Sequence, residues 1–213
     1  MGSAYPEYDS GMERKPGRPR ALTVDVIAAA ALDDGIATFS MPSVARRLGV
    51  AHSGLYRYVT DRDDLLVQAL DMAFLSTTWP DGDAPWDELL VAIGDSVWRA
   101  CDAHPGLDRA SQMASNVSPA LLAKMDAWVT ALRDQHFLPE DAAVAVEFVI
   151  SLAIDCSAQM ARMARMERGG LDRNDLPVLK AYDSDEVWNG RGMYERKLEI
   201  VIAGLASRRI ATA

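Results

Sequence analysis

Side chains able to contact nucleic acid are concentrated in one short segment, residues 52–62. It combines hydrogen-bonding groups, a glycine and arginines, at His52, Ser53, Gly54, Tyr56, Arg57, Tyr58 and Arg62. Small and hydrogen-bonding residues at the start of a helix can approach base edges in the major groove. Tyr56, Tyr58 and Arg62 are placed to reach phosphates. The residue types therefore favour contact with duplex DNA.

The elements that must position this segment are two short helices joined by a tight turn. Ser40 predicts the N-cap of the first helix, Pro42 is tolerated in its first turn, and Gly49 ends it. The second helix is predicted over His52 to Val59, with Leu55 turned inward. Two short helices joined by a glycine-containing turn are typical of a helix-turn-helix. Ser40 and Pro42 join the candidate DNA contacts.

The rest of the chain also has helical periodicity, and no alternating strand pattern occurs. We predict an all-α fold with three parts: a flexible basic tail at 1–20, a three-helix DNA-binding domain at 21–66, and a larger helical ligand-binding and dimerisation domain at 67–213. Beyond the helix-turn-helix, helices are predicted at about 23–35, 61–75, 86–103, 105–114, 119–135, 140–167 and in a last segment ending near 207.

Charge is distributed unevenly along the 213 residues. Residues 1–62 hold 8 Lys and Arg against 7 Asp and Glu, whereas residues 63–213 hold 14 against 24, for a net charge of −9. A mildly basic head on an acidic body indicates a polyanion partner for the head. No uninterrupted apolar run reaches membrane-spanning length and no secretory signal is evident, so we expect a cytoplasmic protein without membrane contact. Cys101 and Cys156 are expected to be reduced, buried thiols, with a disulfide between them as the alternative.

The segment Ser40 to Arg62 closely resembles the TetR family of transcriptional regulators. The family pattern is matched over about residues 20 to 70 by Ser40-Met41, Val44-Ala45, Leu48-Gly49-Val50, Leu55-Tyr56 and Asp64-Leu65-Leu66. The resemblance implies a homodimer on a near-palindromic operator, a helical ligand-binding domain and, most often, repression relieved by ligand. Members often carry Arg at the position of Pro42 and usually Lys at that of Arg62, so one DNA contact is in doubt at Pro42.

The N-terminal tail carries a second nucleic-acid signal. Lys15 to Arg20 resembles the AT-hook pattern, in which a Gly-Arg-Pro unit lies extended in a minor groove. Proline favours an extended backbone, and a narrow groove attracts Arg18 and Arg20. An ordinary basic, disordered tail is the alternative.

Two apolar stripes in the C-terminal body predict the dimer interface. One follows the helix 140–167 and the other follows the last helix, with spacings of three and four residues. Two such helices from each subunit would form a four-helix interface. A near-palindromic operator has two-fold symmetry and is matched by a dimer with the same symmetry. The alternative is that both stripes face their own core.

A polar stripe on the long helix has three possible roles. Glu147, Ser151, Asp155 and Gln159 recur every four residues and could face solvent, form a seam in the dimer, or line a ligand pocket. For a small, largely apolar ligand we expect a pocket among helices 86–103, 105–135 and 140–167. Its candidate residues are Trp98, Met125, Trp128, Asp155 and Gln159.

Enzymatic and metal-binding patterns are missing from the sequence. No nucleophile-elbow, phosphate-loop or metalloprotease motif occurs, and His104 and His136 have no third metal ligand nearby in the sequence. We therefore expect no enzyme activity, no cofactor and no bound metal. Two further hypotheses stay open: an enzyme or carrier on a helical scaffold, and an architectural or activating DNA-binder without a small-molecule ligand.

Overall fold

A computed structural model describes residues 21–168 and 191–209, with side chains up to Arg162 in the first range. Those residues form helices joined by loops and contain no strand, which confirms the all-α prediction. The helices are α1 (Val24–Gly35), α2 (Met41–Leu48), α3 (His52–Leu55), α4 (Arg62–Leu75), α5 (Trp86–Ala103), α6 (Leu107–Met113), α7 (Pro119–Asp134), α8 (Pro139–Arg168) and α9 (Gly192–Leu205), followed by a 3-10 turn at Ala206–Arg208. The tail at 1–20, with Arg18 and Arg20, lies outside the described residues.

The first three helices pack with α4 around a small apolar core. Thr23 caps α1 by accepting a hydrogen bond from the Val26 amide at 3.2 Å, as its position in the sequence predicts. α1 packs along α4 and crosses α2, and α3 packs on α2. The side chains that fill this core are fully buried, among them Ile27, Ala31, Val44, Leu55 and Leu65. Burial of these side chains holds the helix-turn-helix in place.

The third helix is shorter than predicted, because it ends at Leu55 rather than at Val59. Residues 56–58 form a turn in which the Tyr58 and Val59 amides donate to the Leu55 carbonyl at 2.9 and 3.2 Å. Val59 is 3% exposed, and the next amide, of Thr60, donates to the Asp64 carboxylate at 2.7 Å. The chain bends here because Val59 enters the core and Thr60 is tied to the start of α4.

Helices α5 to α9 form the larger part of the fold. α8 packs along α5 and α7 and also contacts α6 and α9. The core between them is lined by side chains that include Leu90, Val97, Trp128, Val149 and Ala153. α4 contacts α6 and α7 as well as α1, so one helix touches both halves of the molecule. The predicted domain boundary at residue 66 falls inside α4 and stays a prediction.

One helix of the described part is long and apolar enough to cross a membrane by length and composition. It is the Pro139–Arg162 part of α8, with a mean hydropathy of 1.5. Core helices of folded domains meet the same criterion, and α8 is packed against four other helices here.

Both cysteines are buried and free, as the sequence predicts. Burial raises the pKa of the Cys101 thiol to about 12, against a smaller lowering by its hydrogen bond with Ser157. Burial also raises the pKa of Cys156, although Lys197 lies 3.6 Å from its sulfur and opposes the shift. Both thiols are therefore protonated and poorly nucleophilic at neutral pH.

Candidate nucleic-acid interface and ligand cavity

The helix-turn-helix geometry is built by local hydrogen bonds around α2. The Ser40 hydroxyl accepts from the Ser43 amide at 3.2 Å, and the Ser43 hydroxyl accepts from the Ser40 amide at 2.9 Å, which is a reciprocal capping box. Gly49 ends the helix with φ 66°, a left-handed conformation that other residues resist. Its amide and that of Val50 both reach the Ala45 carbonyl. These local interactions therefore determine the conformation of the turn that orients α3.

The outward surface of α3 and the turn after it is polar and accessible. Leu55 is fully buried beneath it, and the exposed members are His52, Ser53, Tyr56, Arg57 and Tyr58. The Tyr56 hydroxyl lies 3.3 Å from His52 Nε2, and the two rings meet edge to face with centroids 5.2 Å apart. The pair is thus held in place while its hydrogen-bonding edges face solvent.

Gly54 lies on this same surface, and no contact with another described residue requires a glycine there. Its backbone is not in the left-handed region, and a Cβ built on it would meet no atom within 4 Å. A glycine in a helix costs about 1 kcal/mol relative to alanine. The open space beside Gly54 leaves room for a partner to approach the backbone closely.

Arg62 is anchored at the edge of the surface. Its Nε donates to the Phe39 carbonyl at 3.1 Å, and its guanidinium lies 4.7 Å from the centre of the Phe39 ring. This anchoring fixes the side chain at the α1–α2 loop. No signal in the sequence indicates this role of Phe39, which has the pattern of an ordinary core residue. Pro42 and Ser40 are exposed on the first turn of α2, beside the same surface.

A half-open cavity of about 250 Å³ lies among α4, α6, α7 and α8, with residues 115–117 and Glu147 exposed at its rim. Its wall is mainly apolar, with Leu70, Phe74, Val117, Leu121, Met125, Ile150 and Ile154. A few polar residues converge on it: Ser111, Ser115, Asn116, Ser118, Glu147 and Ser151. An apolar wall with a few placed polar groups is the usual composition of a small-molecule site.

The five predicted ligand-binding residues are not brought together. Met125 lines the cavity, whereas Trp98 lines a separate surface groove of about 530 Å³ beside Cys101. Trp128 is buried in the core, where its indole nitrogen donates to the Pro80 carbonyl at 3.1 Å and its ring packs on Trp79.

The polar stripe of α8 divides between the cavity and solvent. Asp155 and Gln159 are exposed and lie outside the lining of the cavity, and Asp155 accepts a hydrogen bond from Gln112 at 2.9 Å. The stripe contributes its first half, Glu147 and Ser151, to the cavity. Sequence periodicity identified the stripe but could not show which turns of it meet α6 and α7.

The cavity and the helix-turn-helix share α4. Leu70 and Phe74 of α4 form part of the cavity wall. Near the start of α4 the Asp63 carboxylate accepts a hydrogen bond from Ser115, a cavity residue. Further along, Asp71 accepts from the Ser118 hydroxyl and the Ala120 amide, both at 2.7 Å. The α6–α7 loop is therefore hydrogen-bonded to the helix that follows the DNA-facing segment.

Metal chemistry has no visible basis in the part of the chain that is described. Within residues 21–168 and 191–209, no group of three or more His, Cys, Asp or Glu side chains is arranged to hold a metal ion.

No family model matches the chain, but individual relatives do. The HTH-type transcriptional repressor DrrR1 of Streptomyces coeruleorubidus is 25% identical over 185 residues, covering 81% of this chain and 68% of that protein. An HTH-type transcriptional regulator of Saccharopolyspora erythraea is 26% identical over 201 residues, covering 87% of this chain and 85% of that protein.

A solved structure has the same fold. The TetR family protein ActR of Streptomyces coelicolor, in complex with actinorhodin, superposes with a TM-score of 0.70 at 26% identity, over 91% of this chain and all of that one. These proteins are regulators of the class that the motif between Ser40 and Arg62 resembles. The chain is therefore similar in fold to the TetR family protein ActR and similar in sequence to HTH-type transcriptional regulators.

Proposed function

We propose that this protein is a homodimeric repressor that binds a near-palindromic operator and is released by a small, largely apolar molecule bound in the cavity of α4, α6, α7 and α8. The observation that carries the proposal is the exposed polar surface of residues 52–58 on a rigid helix-turn-helix. The names of the relatives support it, since one is a repressor and ActR is bound to actinorhodin. The protein acts as a cytoplasmic regulator rather than as an enzyme.

The DNA contacts follow from the geometry of α3. His52, Ser53 and Gly54 lie at its N-terminal end, where recognition helices meet base edges. Arg57 follows on the exposed turn, and an arginine that reaches guanine can discriminate bases by about 1–3 kcal/mol. Tyr58 and the anchored Arg62 lie at the flank and serve as phosphate contacts.

The dimer is proposed to form through α8 and α9. Val144 and Phe148 of α8 are 61% and 45% exposed, and Ile200 of α9 is 65% exposed. Beside Ile200, α9 presents the small residues Ala203 and Gly204, which permit close helix approach. Large apolar side chains left in water on two long helices favour burial against a second copy.

Release from DNA is proposed to start at α4. A ligand that fills the cavity contacts Leu70 and Phe74 and presses on the loop that holds Ser115 and Ser118. Because α4 also packs on α1, movement of α4 changes the spacing of the two recognition surfaces in a dimer. A ligand can shift the equilibrium only by as much as it prefers the released arrangement.

Single alanine substitutions on the α3 surface test the DNA-binding part of the proposal. Tyr56→Ala and Arg57→Ala should each weaken binding to the DNA upstream of the protein's own gene by about five- to a hundredfold, because each removes contacts worth about 1–3 kcal/mol. Fluorescence anisotropy with labelled duplex, at two salt concentrations, measures the effect. Wild-type affinity should fall as salt rises, because phosphate contacts release counterions.

Arg133→Ala is the matched control. Arg133 is an equally exposed arginine on α7, far in sequence from the helix-turn-helix, and its removal should leave DNA affinity unchanged. Full DNA affinity in both Tyr56→Ala and Arg57→Ala would refute the assigned surface.

A further inference from the structure

The cavity contains a hydroxyl whose hydrogen-bonding capacity is unused. The Ser111 Oγ on α6 is buried and has no hydrogen-bond partner among the described residues, although Ser111 lines the cavity. A buried polar atom without a partner costs about 1–3 kcal/mol. A polar group on a bound molecule would remove that cost. We therefore expect the Ser111 hydroxyl to form a hydrogen bond with a polar group of the ligand.

The charged side chains described at the cavity are all acidic. Glu147 is the only ionisable residue in its described lining, and no lysine, arginine or histidine of the described residues shares the wall. Three more carboxylates lie beside it: Asp63 accepts from the lining residue Ser115, Asp71 accepts from the lining residue Ser118, and Asp155 accepts from Gln112, the neighbour of Ser111. These described charges next to the cavity are all negative.

Glu147 is exposed at the rim of the cavity, and it borders the cavity rather than the face proposed for dimerisation. It shares the lining with Ile150, Ser151 and Ile154, at the helical spacing of one face. The exposed residues Val144 and Phe148 lie on a stripe roughly 80–100° away around α8. The Ser151 hydroxyl donates to Glu147 at 2.6 Å and holds the carboxylate in position.

We infer that the cavity selects a neutral or cationic molecule, mostly apolar, that donates a hydrogen bond or carries an amine, and that it discriminates against carboxylates. The ammonium or hydroxyl of such a ligand would face Glu147, and its apolar body would contact Leu70, Phe74 and Leu121. An anion would enter next to a carboxylate with no described cation to compensate it. The inference rests on the proposed function in so far as the cavity is the ligand site.

Three probes with one common ring test this charge preference: 1-naphthylmethylamine, 1-naphthylmethanol and 1-naphthoate. Isothermal titration calorimetry on the full-length protein should show the amine binding at least about tenfold more tightly than the carboxylate, because a hydrogen bond to a charged group is worth about 1.5–3 kcal/mol. The alcohol should lie between them.

The isosteric variant Glu147→Gln assigns the preference to this residue. It should reduce the ratio of amine to carboxylate affinity by about tenfold while changing the affinity for the alcohol little. Glu140→Gln, an exposed glutamate on the first turn of the same helix, is the control and should leave all three affinities unchanged. Ser111→Ala should weaken the amine and the alcohol together without changing their ratio.

Three results would overturn the inference: naphthoate binding as tightly as the amine, a preference that persists in Glu147→Gln, or no binding of any probe. DNA affinity is measured on the same preparation. Operator binding that remains intact beside any of these results refutes the ligand class alone, whereas unaffected DNA affinity in Tyr56→Ala and Arg57→Ala refutes the proposed function.

Discussion

Replacing Gly54 by leucine is expected to weaken operator binding by about a hundredfold or more while the chain folds normally. The space beside Gly54 is open, since an added Cβ meets no atom of the chain within 4 Å. Leucine also favours a helix by up to about 1 kcal/mol over glycine. On DNA, the new side chain would push α3 out of the groove, and several base contacts worth about 1–3 kcal/mol each would be lost.

Anisotropy with the operator duplex and a urea unfolding curve measure the two halves of this prediction. Ala123→Leu, which adds bulk at an exposed position on α7, is the control and should bind DNA as the wild type does. Operator affinity in Gly54→Leu within a few-fold of wild type would show that α3 does not approach DNA closely. A large loss of stability would show that the glycine has a structural role.

Gly94 presents the opposite case, and alanine there is expected to destabilise the fold by about 1–3 kcal/mol or more. Gly94 is buried in α5, and a Cβ on it would overlap the hydroxyl of Tyr194 and lie 3.0 Å from Val149 Cγ1. Tyr194 is 1% exposed, and its ring packs 5.1 Å from that of Trp98. The methyl group therefore pushes α9 away from α5 and α8.

The overlap with the Tyr194 hydroxyl can be distinguished experimentally from a general loss of packing. It has no hydrogen-bond partner among the described residues, and burial raises its pKa well above the usual value near 10. Tyr194→Phe should therefore cost little stability by itself, and it should recover much of the loss caused by Gly94→Ala. Urea unfolding of both single variants and the double variant measures this. Additive effects, or a Gly94→Ala protein as stable as wild type, would contradict the account.

The helix-turn-helix could be predicted closely because its determinants are local. Ser40 and Gly49 have cap and turn roles that depend on neighbours within four residues, and the structure shows each in its predicted role. The predicted end of α3 at Val59 was wrong because a long-range effect decided it. Burial of Val59 and the contact of Thr60 with Asp64 bend the chain earlier than propensity indicates.

The cavity could be predicted only in outline. Its location among the helices of the larger part follows from the family resemblance, but its lining depends on tertiary packing. Trp128 is of a residue type that is common in ligand pockets. Here its hydrogen bond to the Pro80 carbonyl and its packing on Trp79 keep it in the core. The role of Ser111 could not be predicted from the sequence, because it depends on the burial of its hydroxyl oxygen without a hydrogen-bond partner among the described residues.

A structure of the full-length protein on its operator tests the central claim most directly. We expect a two-fold dimer with one α3 in each of two major grooves, separated by about 34–36 Å or a multiple of that distance, with Gly54 against the base edges and Arg62 at the backbone. A complex in which residues 52–58 face solvent, or in which another surface of the chain holds the duplex, would contradict it.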